Sequence, residues 1–209
     1  MICTEAIPAN NRINLEKLKD EPVPEVVQFG GITFVNGDGQ DTAVTTWREF
    51  TSCQSQNFPE KTNADIAMAG WFWKTRGHIS FLEKTVPATI SHVRNLHPGK
   101  ELVRLLPLTL APLLSEESND VGEAIKHHKS WLQFYPTTRI TKLTNTEMFL
   151  KMGRYEMLVT ILAYGDFNHD GFDDMLVFYD QGVTDGTFAY SGVAVLTRFT
   201  PDESLKIIE

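Results

Sequence analysis

Apolar and polar positions change rhythm three times along these 209 residues. Residues 12–29 form a polar lead-in, where Pro22 and Pro24 interrupt any helix begun by Leu15 and Leu18. Segments 32–35 and 42–47 read as two strands about the turn-rich Asn36-Gly37-Asp38-Gly39. A polar loop is expected over 52–63, then two more strands over 66–73 and 78–82 with Arg76-Gly77 turning between them. The middle differs. Ile90, Val93 and Leu96 predict a helix over 88–96, stopped by Pro98-Gly99, and a second helix is expected over 119–133. Between them, 102–114 mixes Leu with Pro and reads as a buried irregular stretch. From Arg139 strand signals return. Segment 156–164 alternates, 175–179 is a short apolar run, and 188–199 is aromatic and β-branched, which together predict a three-stranded antiparallel meander.

Strands toward both ends and helices between them predict an α+β fold, with antiparallel sheets from the N- and C-terminal parts. The chain reads as one domain over 1–209: a lead-in at 1–30, a β-rich part at 31–86, a helical middle at 87–136 and a β-meander at 137–209.

Two of the meander's strands flank Asp166-Phe167-Asn168-His169-Asp170-Gly171-Phe172-Asp173-Asp174. A hard cation such as Ca2+ takes six to eight oxygen ligands, and short Asp and Asn side chains supply them well. Asp166, Asn168 and Asp170 alternate, so a curled loop turns all three inward. Gly171 allows the sharp bend, the Phe172 carbonyl faces the ion and Asp174 closes the ring. Asp173 is expected to point to solvent or to hold the loop from outside. An EF-hand is excluded, because its bidentate Glu would fall on Val177 and its flanking helices would fall on strands. A metal-free Asn/Asp/Gly turn is the plainer alternative, but its carboxylates would repel one another.

The run Gly165 to Val177 resembles the FG-GAP or VCBS-type calcium repeat, a strand, an acidic nine-residue loop and a second strand. The resemblance implies side-chain ligands from Asp166, Asn168, Asp170 and Asp174 and a carbonyl ligand from Phe172. A degenerate copy lies at 34–44, with Phe34 and Thr42 where its first and last ligands would stand. A type I′ hairpin around Asn36-Gly37 accounts for that copy better. One good motif and one poor one do not make the four or more blades of a propeller.

Composition narrows the function. Twenty-seven acidic residues against nineteen basic give a net charge of −8, which disfavours nucleic acid and favours a cation or a basic protein surface. No apolar run has the length of a membrane span. The N-terminus has no signal-peptide pattern, so the sequence as given reads as cytoplasmic, or as exported or periplasmic if the N-terminus has been trimmed. Cys3 and Cys53 fit no metal or redox motif. No phosphate-binding, dinucleotide, nucleophile-elbow or zinc-helix motif occurs. His127-His128 read as a solvated pair, and His169 as an exposed loop residue. Trp71 and Trp73 would share one face of a strand, either as core or as anchors for a partner. These readings converge on a non-catalytic, calcium-binding protein that docks on a partner with a basic surface, for instance a bacterial immunity-type inhibitor of a toxin or enzyme. An exported envelope or adhesion protein and a hydrolase with structural calcium are the alternatives.

Overall fold

The computed structural model describes residues 7–8, 14–112, 118–186 and 189–208. The chain divides into two compact units, Arg12–Glu83 and Lys84–Glu209, the latter joined by Met1–Asn11. The fold is α+β with two sheets, neither of which forms a barrel or a propeller among the described residues. Strand β1 (Ile7–Pro8) belongs to the second unit.

In the 12–83 unit, α1 (Leu15–Asp20) and α2 (Pro24–Val27) precede a hairpin of β2 (Ile32–Val35) and β3 (Asp41–Val44). The hairpin turn is not type I′, which needs positive φ at both central residues. Gly39 has φ +77°, its N–H donates to the Asn36 carbonyl at 2.9 Å, and the Asn36 N–H donates to the Gln40 carbonyl at 2.9 Å. This is a three-residue loop that ends on a left-handed glycine.

Helices occupy most of what the alternation assigned to a polar loop and two strands. Helix α3 (Trp47–Ser55) begins at Thr46, whose side chain accepts from the Glu49 amide while the Glu49 carboxylate accepts from the Thr46 amide at 3.1 Å. Thr62 and Asp65 start α4 (Asn63–Arg76) in the same reciprocal way. Such a box satisfies two amides that a helix start would otherwise leave unpaired, and is worth about 1 kcal/mol. Ala69, Phe72 and Arg76 then face inward at helical spacing. Helix α5 (His78–Lys84) follows. Phe72, fully buried, packs against Phe50 at 4.9 Å and Trp47 at 6.2 Å, in a core with Val26, Ile32, Phe34 and Ile79. Cys53 is buried in the same core, and Cys3 lies outside the described residues.

The second unit is built on a sheet. Residues 88–96 are irregular rather than helical, because the backbone of Ile90 pairs with Phe172 across the chain. Helix α6 (Lys100–Leu105) and a 3-10 turn (Leu108–Leu110) follow. The helix expected over 119–133 is two helices, α7 (Ser118–Lys126) and α8 (Trp131–Phe134), separated where His128 adopts φ +52°. Then come β4 (Arg139–Leu143), β5 (Glu147–Met152), β6 (Tyr155–Gly165), β7 (Asp174–Val183), β8 (Ala189–Thr197) and β9 (Lys206–Ile208). They pair antiparallel in that order, and β1 lies parallel to β6 beside Ala163 and Tyr164. The expected meander is β6–β7–β8. One sheet face, with Met148, Leu150, Val159, Val177 and Leu196, packs on Leu102, Leu106 and Trp131. Gln181 is buried there, its amide donating to the Leu110 carbonyl. The long β6–β7 hairpin closes on the pair Gly165 and Asp174, and so carries the 166–173 loop at its tip. No helix among the described residues is long and apolar enough to cross a membrane.

Candidate cation loop

The loop is curled by its own carboxylates. Asp166 is nearly buried, and its two oxygens accept from the amides of Asp170 (3.1 Å) and Gly171 (2.9 Å). Asn168 Oδ1 accepts from the Asp170 amide at 3.2 Å, and Asp170 Oδ1 from the Phe172 amide at 2.8 Å. The Asn168 amide group also donates to Asp170 Oδ2 at 2.8 Å. Two left-handed residues make the bend, His169 at φ +65° and Gly171 at φ +89°. Among the described residues no donor reaches the Phe172 carbonyl.

Asp174 is the most telling member. It is fully buried, and Oδ2 accepts from the Phe167 amide at 3.0 Å. Its Oδ1 is buried with no hydrogen-bond partner, as is Thr197 Oγ1. Burial is the main reason its carboxyl is pushed up to about 6, and the negative charges of Asp170 and Asp166 add to the rise. The Phe167 amide opposes it, and so does the Thr197 hydroxyl, which lies close although its geometry falls short of a hydrogen bond. An orphaned carboxylate oxygen in the interior is costly, and such a group calls for a proton or a cation.

Asp173 does not point to solvent; it is fully buried and holds the loop from outside. Arg94 grips it with two parallel bonds, Nε to Oδ2 at 2.7 Å and Nη2 to Oδ1 at 2.8 Å, and Ser91 Oγ donates to Oδ2 at 2.8 Å. This fork geometry is the strong form of a carboxylate pair. Sequence reasoning missed Arg94 and Ser91 because both fall within the helix expected over 88–96, where neither would meet a residue so far along the chain. A buried Asp beside four other oxygen donors is the signal that asks for a cation partner, but nothing in the sequence says which. His169 is exposed, and its Nε2 lies 2.6 Å from the Lys84 carbonyl.

Asp166, Asn168, Asp170, Phe172 and Asp174 thus lie on one curled loop, with Asp166 and Asp174 buried, Asn168 and Asp170 exposed and Phe172 half-buried. Among the described residues no group of three His, Cys, Asp or Glu side chains converges at metal-holding distance. That test counts neither the Asn168 side chain nor the Phe172 carbonyl. Each carboxylate oxygen that accepts one amide keeps a second lone pair.

In the degenerate copy the polar groups are engaged elsewhere. Asn36 Oδ1 accepts from the amides of Asp38 (3.0 Å) and Gln40 (2.8 Å), and Asp41 pairs with Lys61. Trp71 and Trp73 lie on α4 in the 12–83 unit and not on a strand, so about 200° of helix rotation separates them. Trp71 is 37% exposed and Trp73 46%, the latter resting its ring on Trp47 at 5.3 Å. Compared with known proteins, the chain matches no family model, no curated protein and no solved structure.

Proposed function

We propose that this protein binds one calcium ion in the 166–174 loop and acts as a non-catalytic module that docks on a protein partner. The observation that carries the calcium reading is the buried, unpartnered Oδ1 of Asp174, set in a loop whose other carboxylates already lie curled about the same bend. Asp166, Asn168, Asp170 and Asp174 would give side-chain oxygens and Phe172 its carbonyl, a donor set of hard oxygens suited to calcium. The ion would neutralise the mutual repulsion of these groups. Its role here is to stiffen the β6–β7 tip.

The docking half of the reading rests on the net charge of −8 and on the two exposed tryptophans of α4. Opposite charge steers a basic partner in, and exposed aromatic rings give it anchors. An inhibitor of the immunity type, which covers a partner's active site, fits this combination. Titration calorimetry with calcium on the chelator-stripped protein tests the first half: one site per chain is expected, and absence of heat refutes it. Co-purification from the native cell tests the second. A basic partner whose activity falls on binding supports the inhibitor, whereas turnover by the purified chain, lost on mutating one carboxylate, makes it an enzyme.

A further inference from the structure

Beyond α5, residues 85–96 carry the chain from the 12–83 unit into the sheet unit, and they do so without helix or strand. Over 86–91 the side chains give little anchorage. Val86 is 37% exposed and Ile90 45%, and Pro87, Thr89 and Ser91 are exposed as well. A stretch that buries so little apolar surface is held by its hydrogen bonds. Every non-local backbone bond described for 86–91 goes to the 166–173 loop. Val86 and Asp166 exchange amide-to-carbonyl bonds at 3.1 Å each, Thr89 and Ile90 both donate to the Gly171 carbonyl at 3.0 and 3.1 Å, and the Asp173 amide donates to the Ile90 carbonyl at 2.7 Å. Thr89 Oγ1 adds a bond to the Gly171 carbonyl at 3.0 Å, and the Ser91 and Arg94 bonds to Asp173 complete the seam. Only at Val93 and Leu96 does burial take over.

The residues that hold this strap alternate with those proposed to face the ion. Asp166 gives the strap its N–H and C=O while its carboxylate curls the loop. Gly171 and Asp173 hold the strap, and Asp170, Phe172 and Asp174 lie between and beside them. The loop cannot uncurl without breaking the seam.

We infer that cation occupancy of the 166–174 loop latches the strap at 84–91, so that removing calcium releases the stretch joining the two units together with the loop. This inference rests on the calcium reading above. Because coupling is reciprocal, a weaker strap must also lower affinity for the ion.

The test is hydrogen exchange on the full chain with calcium and with chelator, and calcium calorimetry on the same sample. Peptides over 84–91 and 166–173 should exchange about tenfold faster or more in chelator, while β7–β8 stays protected. Trypsin should cut after Lys84 only in chelator. Arg94→Ala strands a buried carboxylate and so perturbs folding itself, and Thr89→Val, which removes one exposed hydroxyl, is therefore the second variant. Loss of that bond should raise the calcium Kd about threefold. Calcium heat with unchanged exchange over 84–91, or a Thr89→Val protein with the original Kd, overturns the latch and leaves the calcium reading standing. No calcium heat at all removes the calcium reading and the latch with it.

Discussion

Asp174→Asn separates the buried charge of this carboxylate from its proposed role as a ligand. In the chelated protein its carboxyl is raised from 3.8 to about 6, chiefly by burial. A raised acid favours the fold while protonated. That contribution is fully present below about pH 4 and is lost as pH rises through about 6. At pH 7.5 the buried charge therefore costs about 3 kcal/mol, from about 1.4 kcal/mol per pKa unit. Asparagine has nearly the same shape and no charge. Its oxygen can keep the Phe167 amide, and its amide group can meet the unpartnered Thr197 hydroxyl. Against this, an ionic acceptor is exchanged for a neutral one, a loss of about 1 kcal/mol. The chelated variant should be more stable than the parent by about 1–2 kcal/mol.

With calcium the order should reverse. Ligand at one hundred times its Kd stabilises the parent by about 2.7 kcal/mol, and the variant, lacking a charged ligand, should gain little. The assay is a pair of circular dichroism melts at pH 7.5, one in chelator and one in calcium. For a chain of this size about 1 kcal/mol moves Tm by 2–4 °C, so the crossing is within reach. A variant that melts lower than the parent in chelator would refute the orphaned-charge argument. One that keeps the whole calcium shift would refute the role of Asp174 as a ligand.

Four further outcomes are expected. Asp170→Ala should abolish the calcium shift in Tm while Asp38→Ala leaves it intact, since Asp38 lies in an ordinary hairpin turn. Phe72→Ala should cost about 3–5 kcal/mol in urea titration, because it empties the middle of the aromatic core. Burial, with Arg76 beside it, pushes His78 down to about 4. Its neutral form thus supports the fold above pH 6.5, and up to about 3 kcal/mol is lost as pH falls from 6.5 toward 4, a loss His78→Gln should reduce when the two proteins are titrated in parallel. Association with the co-purified partner should slow at high salt with dissociation nearly unchanged, and Trp71→Ala should speed dissociation without lowering Tm, as surface-plasmon kinetics and a melt will tell.

The β6–β7–β8 meander was legible because its signals are local, while β4, β5 and β9 of the same sheet were not marked out as strands. Alternation from Glu156 and the apolar run at Met175 mark β6 and β7, and the acidic loop between them spells out its own turn. Elsewhere the side chains misled. Ile66, Trp71, Phe72 and Trp73 carry strand propensity, yet Thr62-x-x-Asp65 just before them is a helix-start signature, and the capping box prevails with Ala64, Ala67 and Ala69 behind it. Thr46-x-x-Glu49 gave the same warning ahead of α3. Both boxes could have been read from the sequence, since each is complete within four residues.

No such reading was open for 88–96. Ile90, Val93 and Leu96 have helical spacing, and two of the three are core residues. A helix there would turn the Ile90 carbonyl inward to its own i+4 amide, while in the structure that carbonyl accepts from Asp173. It would also give up the fork from Arg94 to a carboxylate 79 residues away, and a buried Asp173 left without it would cost more than a short helix gains. The oxygen donors of the loop are set by nine consecutive residues and can be recognised as a group. The strap is chosen by the needs of that loop once it has curled, so its conformation is decided by a partner that lies far along the chain.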